Sequence, residues 1–159
     1  MFEITSHSLD ETRALGARLA VRARAGDLFC LEGDLGAGKT SFVQGLGRGL
    51  SISETIHSPT FILANEHRGG RLPLYHLDVY RVASASEAIG FGLEDYLAGD
   101  GVCVIEWAEK IRAALPHELL WITFEHRGES TRRIVFDARG ARYEEYLGSL
   151  GESKSKVRG

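Results

Sequence analysis

The chain has 159 residues, a length that fits one domain, and its formal net charge at pH 7 is -3. This charge balance argues against a dedicated nucleic-acid coat, and no run of about 18 apolar residues predicts a membrane span. The N-terminus "MFEITSHSLDE" lacks the basic and apolar regions of a secretory signal, so we expect a cytoplasmic protein. Cys30 and Cys103 lie in apolar runs without metal-ligand spacing, which predicts buried thiols.

The first half of the chain alternates strand and helix patterns. "FEIT" predicts a short strand, and residues 8–26 predict a helix that Ser8 and Glu11 begin as a capping box and Gly26 ends. "DLFCLE" predicts a buried strand, "GDLGAGKT" a glycine-rich turn and "SFVQGLGRGL" a helix whose three glycines weaken its prediction. This alternation predicts a parallel α/β core.

The second half adds two hairpins. "SPTFILANEH" and "LPLYHLDVYR" flank Gly69–Gly70 and predict the first hairpin, and "ELLWITFEH" and "TRRIVFDA" predict the second. Between them, "SASEAIGFGLEDYLAG" predicts short helices with a capping box at Ser84 and Glu87, "GVCVIE" a buried strand, and "AEKIRAAL" a short helix. We expect a last helix in "ARYEEYLGSL", one domain over residues 1–150, and a disordered basic tail over residues 151–159.

The strongest motif is Gly33-x-x-x-x-Gly38-Lys39-Thr40, which matches the phosphate-binding loop pattern G-x-x-x-x-G-K-[ST]. It follows a predicted strand and opens a predicted helix, where backbone N–H groups and the helix N-terminus favour phosphate. Lys39 is expected to reach the β- and γ-phosphates, and the Thr40 hydroxyl to ligate Mg²⁺. The predicted nucleotide-binding residues of this loop are Gly33, Asp34, Leu35, Gly36, Ala37, Gly38, Lys39, Thr40 and Ser41. The expected fold is therefore a P-loop NTPase-like three-layer α/β core with a mixed sheet of about seven strands.

Phosphoryl transfer also needs a second metal-organising group and a group that orients the attacking oxygen. Glu106 ends the apolar run "VCVI", and carboxyl ends of strands are where an open α/β sheet binds ligands; the alternative role is a helix cap. Asp78 either points into the site or lies on a solvated face of its strand. Thr60 follows Ser58-Pro59 and either senses a γ-phosphate or merely starts a strand. Trp107 either contacts the site or belongs to the core.

Five segments occur in the order and at the intervals of a known family. They are "GDLGAGKTSF", "HSPTF", "LYHLDVYR", "GFGLEDYL" and "VIEWAEK". The chain resembles the bacterial TsaE family, also called YjeE, the small ATPase of tRNA threonylcarbamoyladenosine biosynthesis. The resemblance covers residues 3–126 well and the C-terminal hairpin and helix more loosely. Ser41 departs slightly from the family, in which a second threonine is common, and the basic tail has no match.

The resemblance implies a role for each matching position. Lys39 and its loop match the ATP-phosphate site, and Thr40 and Glu106 match the Mg²⁺ ligands. Thr60 matches a switch-like threonine and Asp78 an acidic residue important for hydrolysis. The remaining matches are Trp107 beside the nucleotide, and Glu11 and Thr12 near the base.

The family resemblance implies partners as well as a cofactor. It implies ATP hydrolysis that supports a complex of the TsaB and TsaD proteins, which modifies tRNA, so that this chain meets tRNA only indirectly and no DNA or membrane. Adenine specificity is also inferred from the family, since the guanine-reading stretch N-K-x-D is absent from the sequence. Two alternatives stay open: a small-molecule kinase with the same loop, and a nucleotide-gated binding module without significant turnover.

Overall fold

The computed structural model describes residues 1–34, 36–57 and 64–158, with side chains up to residue 151. The strands in these ranges are β1 (Phe2–Ser6), β2 (Leu28–Gly33), β3 (Ala64–His67), β4 (Leu74–Asp78), β5 (Val102–Glu106), β6 (Leu119–His126) and β7 (Arg132–Arg139). The helices are α1 (Leu9–Ala20), α2 (Lys39–Gly49), α3 (Ala85–Gly90), α4 (Leu93–Leu97), α5 (Ala141–Arg158) and a 3₁₀ helix (Ala108–Ala114).

All seven strands form one mixed sheet in the order β1-β7-β6-β2-β5-β4-β3. The four central strands, β6, β2, β5 and β4, run parallel to one another. Parallel pairing needs a long connection between strands, and helices supply these connections here. The two predicted hairpins, β3–β4 and β6–β7, are antiparallel and flank this centre, and β1 pairs antiparallel with β7 at the edge. The predicted mixed α/β sheet of about seven strands is confirmed.

The two faces of the central strands bury different residues, because successive strand side chains point to opposite faces. On one face, Phe29 and Leu31 of β2 pack with α1, α2 and α5. On the other, Leu28 and Cys30 pack with α3, α4 and the 3₁₀ helix. This arrangement gives the predicted three layers. Both cysteines are free and buried as expected, and burial raises the pKa of Cys103 to about 12.

Helix α1 begins as predicted and ends earlier than predicted. The Ser8 hydroxyl accepts from the Glu11 N–H at 3.0 Å, which confirms this end of the capping box. The helix stops at Ala20 rather than near Gly26. The chain must turn back there to enter β2, and the turn is held by Asp27, whose Oδ2 accepts from the Arg24 N–H at 2.9 Å.

Helix α2 forms despite its three glycines, because they let it approach α1 closely. A Cβ added at Gly45 would lie 1.9 Å from the Arg13 carbonyl oxygen, and one at Gly16 would lie 2.3 Å from the Phe42 carbonyl oxygen. From the sequence, these glycines weaken the helix prediction, because glycine in a helix costs conformational free energy. In the fold they are the contact surface between the two helices.

The C-terminal helix is longer than the one predicted from "ARYEEYLGSL". The backbone of α5 continues to Arg158, through most of the basic tail. The boundary at residue 150 and the disorder of the tail in solution stay predictions. Within the described residues, no helix is both long enough and apolar enough to cross a membrane.

Candidate active site at the carboxyl ends of the central strands

The candidate site lies where three parallel strands end side by side. β2 ends at Gly33, β4 at Asp78 and β5 at Glu106. In the strand register Asp78 is opposite Glu106, and Leu31 is opposite Glu106 on the other side. Parallel pairing brings these ends to one edge of the sheet, which is the edge where open α/β folds bind ligands.

The loop 33–40 joins β2 to α2 at this edge and borders a cavity of about 250 Å³. Gly38 has a φ of 101°, a left-handed conformation that a side chain would strain, and α2 begins at the next residue. The cavity is lined by Leu9, Gly36, Gly38, Lys39, Thr40, Ser41, Asp78, Glu106, Trp107 and Arg132. The structure therefore brings together predicted site residues from three separate parts of the sequence: the loop with Thr40, Asp78, and the pair Glu106 and Trp107.

The amine of Lys39 is held at the mouth of this loop. Its Nζ donates to the Gly33 carbonyl oxygen at 2.5 Å and lies 3.4 Å from the centre of the Trp107 ring. Burial lowers the pKa of Lys39 from its ordinary value of 10.5, while the carboxylate of Glu106 is the largest influence in the opposite direction. A desolvated amine among polarisable groups is suited to binding an anion.

Glu106 is a buried carboxylate that faces the start of α2. The Thr40 hydroxyl donates to both of its oxygens, at 3.2 and 3.3 Å. On its other side, His76 Nε2 donates to Oε2 at 2.5 Å, across 30 positions of sequence. Glu106 therefore faces the loop rather than serving only as a cap for the 3₁₀ helix.

His76 was not among the predicted site residues, although it is completely buried beside Glu106. Its Nδ1 has no hydrogen-bond partner in the described part of the chain. The sequence signal was the alternation in "YHLDVYR", which places His76 on the same strand face as Asp78. Only the pairing of β4 with β5 brings Glu106 to that histidine.

Trp107 occupies the turn by which the chain leaves β5. Its φ is 63°, which is uncommon for a bulky residue and costs on the order of 1–3 kcal/mol. The ring lies between Lys39 and Tyr80, whose ring centre is 4.8 Å away. This strained turn keeps the indole over the lysine at the cavity wall, whereas its function toward nucleotide or partner stays a prediction.

Asp78 is half-buried at the end of β4. Its Oδ1 accepts from the Tyr80 N–H at 2.9 Å, which is a local turn that an asparagine could also make. Burial is the main cause that raises the pKa of Asp78 above its ordinary value of 3.8, and the Glu106 charge adds to it. Keeping such a carboxylate ionised beside a cavity costs stability, which is common at functional sites.

We expect Asp78→Asn to increase thermal stability at neutral pH while lowering activity. Because the pKa of Asp78 is raised in the folded chain, the folded chain keeps this proton to a higher pH than the unfolded chain does. The wild-type protein therefore loses stability as the pH rises from about 4, the ordinary pKa of the group, through its higher pKa in the folded state. Asparagine cannot ionise, and the advantage of the variant in melting temperature should shrink toward pH 4. Thermal unfolding without nucleotide between pH 4 and 8 measures this effect; a large loss of stability would instead make Asp78 structural.

Arg132 is a second cavity residue that the sequence prediction missed. It comes from β7 and is 6% exposed, and its guanidinium donates to carbonyl oxygens of the loop. In "TRRIVF" it alternates with Ile134 and Phe136, both buried, and this alternation was the available signal for an inward-facing arginine.

The other predicted site residues lie in different places. Glu11 Oε2 accepts from the N–H of His7, the residue before the N-cap Ser8, at 2.7 Å, and Thr12 is buried, with its hydroxyl hydrogen-bonded to Ser6. Neither lines the cavity, although the Thr12 methyl group lies close to Gly38. Asp34 is an exposed residue of the loop and does not line the cavity. Leu35 and Thr60 lie outside the described residues, so their roles stay predictions.

The donor set at this site fits a magnesium ion. The Thr40 hydroxyl and the Glu106 carboxylate present hard oxygen atoms to each other at the cavity wall. Mg²⁺ is commonly bound by one or two protein oxygens together with water and substrate phosphate, rather than by a cage of protein ligands. In the described part of the chain, no group of three or more His, Cys, Asp or Glu residues is arranged to hold a metal ion.

Comparisons with known proteins identify the family to which this site belongs. The model of the family described as "Threonylcarbamoyl adenosine biosynthesis protein TsaE" matches residues 6–134. The tRNA threonylcarbamoyladenosine biosynthesis protein TsaE of Bacillus subtilis is 47% identical over 135 residues, which cover 85% of this chain and 84% of that protein. TsaE of Treponema pallidum is 41% identical over 130 residues, which cover 82% of this chain and 96% of that protein.

A solved structure agrees with these sequence relatives. The crystal structure of YdiB from Bacillus subtilis matches this chain with a TM-score of 0.84 and 39% identity, and the match covers 96% of this chain and 95% of that one. The family resemblance seen in the motifs and the expected fold are both confirmed. The chain belongs to the TsaE family of threonylcarbamoyl adenosine biosynthesis proteins.

Proposed function

We propose that the chain is an Mg²⁺-dependent ATPase that supports threonylcarbamoyladenosine formation on tRNA by acting on a complex of the TsaB–TsaD type. The observation that carries the proposal is the contact between Thr40 and Glu106 at the mouth of the loop 33–40. It joins the start of α2 to the end of β5 across 66 positions of sequence. A phosphate-binding loop facing a buried carboxylate is the arrangement that nucleotide hydrolysis needs.

The loop supplies the phosphate site in this proposal. The N–H groups at the start of α2 have no partners within the helix and carry its partial positive charge, which favours an anion. The amine of Lys39 lies at the cavity wall and would exchange its bond to the Gly33 carbonyl for contacts with the β- and γ-phosphates. The phosphate charge offsets the cost of keeping this buried amine protonated.

Four side chains at the strand ends and the start of α2 have the remaining roles in this proposal. Thr40 and Glu106 hold Mg²⁺, which when bound neutralises charge that develops on the phosphate oxygens. His76 holds the Glu106 carboxylate in place through Oε2. We assign the orientation of the attacking water to Asp78, because it lies opposite Glu106 in the register and lines the same cavity.

The partner complex and the tRNA enter the proposal through the family. The relatives are named for tRNA threonylcarbamoyladenosine biosynthesis. We therefore propose that ATP turnover serves the modifying complex and that this chain meets tRNA only through it. A cytoplasmic location is part of the same proposal.

The test measures ADP formation by the chain alone, with purified TsaB–TsaD-type proteins, and with candidate small-molecule acceptors. A Lys39→Ala variant, which lacks the amine that should meet the phosphates, sets the background in each case. We expect weak turnover alone and stimulation by the protein partners.

The alternatives predict different results. Stimulation by a small metabolite instead of the partner proteins would indicate a kinase. ATP binding without cleavage above the Lys39→Ala background, in a single-turnover assay of the assembled complex, would indicate a nucleotide-gated binding module. Either result would contradict the proposed ATPase.

A further inference from the structure

We propose that Arg132 is the positioning residue of the loop 33–40: its guanidinium holds the backbone of that loop in the conformation that binds phosphate. The inference deepens the proposed function, since it names a residue of β7 on which phosphate binding depends. Arg132 belongs to neither the loop motif nor the strands that carry Asp78 and Glu106. It reaches the loop across 95 positions of sequence.

Three sides of the guanidinium are used by backbone carbonyl groups. Nε donates to the Ala37 oxygen at 3.0 Å, and Nη2 donates to the Gly36 oxygen at 3.3 Å. Nη1 donates to the Ser130 oxygen at 3.0 Å, which ties the group to the turn between β6 and β7. A planar fork with several donors can hold two consecutive loop carbonyls, whereas a single ammonium group cannot match that geometry.

These two bonds orient the start of α2. A trans peptide unit is planar, and its C=O and N–H point in opposite directions. Holding the Ala37 oxygen toward Arg132 therefore directs the Gly38 N–H away from it. The Ala37 N–H is already used by the Asp34 carbonyl oxygen at 3.0 Å, so the turn is fixed from both ends.

The loop also lies directly against the arginine. A Cβ added at Gly38 would lie 3.1 Å from Arg132 Nε and 3.6 Å from the Thr12 methyl carbon. The glycine therefore serves two needs, a left-handed φ and a close contact with the guanidinium. Arg132 and α1 together form the surface against which the loop rests.

Among the described residues, no acidic side chain balances the charge of Arg132. In residues 1–34, 36–57 and 64–151, no carboxylate lies within ion-pair distance of its guanidinium, and the residue is 6% exposed and lines the cavity. Burying a cation with only carbonyl dipoles as partners is unfavourable unless an anion comes near. Bound phosphate would supply that anion, so ligand binding and burial of Arg132 reinforce each other.

The experiment compares three variants of the full chain. Arg132→Met removes the donors and the charge, and Arg132→Lys keeps the charge but loses the fork. Arg133→Met is the matched control, because Arg133 is the next residue of β7, lies on the other face and pairs with the exposed Glu3 and Glu125. The measurements are amide hydrogen exchange of residues 36–40 without ligand, and the Kd for Mg²⁺-ATP by calorimetry.

We expect Arg132→Met to speed exchange at residues 36–40 about tenfold and to weaken ATP binding about tenfold to a hundredfold, from the usual strength of hydrogen bonds to a charged group. On a logarithmic scale, Arg132→Lys should recover less than half of the ATP affinity that Arg132→Met loses. Arg133→Met should match the wild-type protein in both loop exchange and ATP affinity. Unchanged loop exchange in Arg132→Met would overturn the proposal. So would wild-type ATP affinity in Arg132→Lys, which also decides the matter if the methionine variant fails to fold.

Failure of the proposed ATPase gives a separate result. If the wild-type chain does not bind Mg²⁺-ATP, the nucleotide function is lost for a reason unrelated to Arg132. The exchange rates of the ligand-free variants still decide whether Arg132 holds the loop.

Discussion

Replacing Glu106 by glutamine is expected to lower Mg²⁺-dependent ATP hydrolysis by roughly a hundredfold to a thousandfold, the usual effect of removing one preorganised electrostatic contact from a reaction site. Glutamine has nearly the same shape but carries no charge, so the position would lose its attraction for a divalent cation. Glu106 is 2% exposed and its carboxylate has fixed partners in Thr40 and His76, so no other orientation is readily available to compensate.

Nucleotide binding without metal should survive the same change. The loop amides that we propose to bind phosphate belong to another part of the chain, so the affinity of Glu106→Gln for ATP in the presence of a chelator should stay within about threefold of the wild-type value. Steady-state ADP formation over a magnesium titration, with calorimetry in the chelator, measures both. Glu94→Gln, on the exposed side of α4, is the control for loss of one carboxylate. Wild-type turnover by Glu106→Gln would return Glu106 to a capping role.

Adding one methyl group at Gly45 is expected to destabilise the fold by about 3 kcal/mol or more, at the upper end of the usual cost of overpacking. The new Cβ would meet the Arg13 carbonyl oxygen at 1.9 Å and the Arg13 carbonyl carbon at 2.7 Å. Both atoms are backbone, so no side-chain rotation relieves the overlap. α2 would have to move away from α1, and Lys39 and Thr40 at its start would move with it.

Thermal and urea unfolding measure this effect. For a domain of this size, 3 kcal/mol corresponds to a loss of about 6–12 °C in melting temperature. Gly148→Ala is the matched control, since Gly148 also lies in a helix but an added Cβ there meets no atom within 4 Å. That substitution should be neutral or stabilise by up to about 1 kcal/mol, because alanine favours helix. Equal stability of Gly45→Ala and the wild-type chain would show that the two helices can separate without cost.

The sequence was most informative where the signal is local. The order of the elements, the two hairpins and the capping residue Ser8 depend on neighbours in the chain, and the structure confirms them. Glu106 could be placed near the loop because it ends a predicted strand, and parallel strands end at one edge of the sheet. For Asp78 the strand alternation left two alternatives open, the site or a solvated face. The end of α1 was predicted too late, since a tertiary turn rather than Gly26 stops that helix.

Other features of the site depend on contacts between distant segments. No pattern in "VIEWAEK" shows that Trp107 adopts a positive φ or that its ring covers Lys39. His76 was visible as a residue of the same strand face as Asp78, but only the pairing of β4 with β5 places it against Glu106.

The sequence by itself therefore determined the loop motif, the alternation of elements and the family, because these are carried by residue type and spacing along the chain. The tertiary structure alone decided the strand order, the close contact of α1 with α2 and the arginine beneath the loop. The physical reason is that strand order and helix contacts follow from burial summed over segments far apart in the chain. Arg132 contacts Ala37 because β6 pairs with β2 and β7 pairs with β6, which brings these distant segments together.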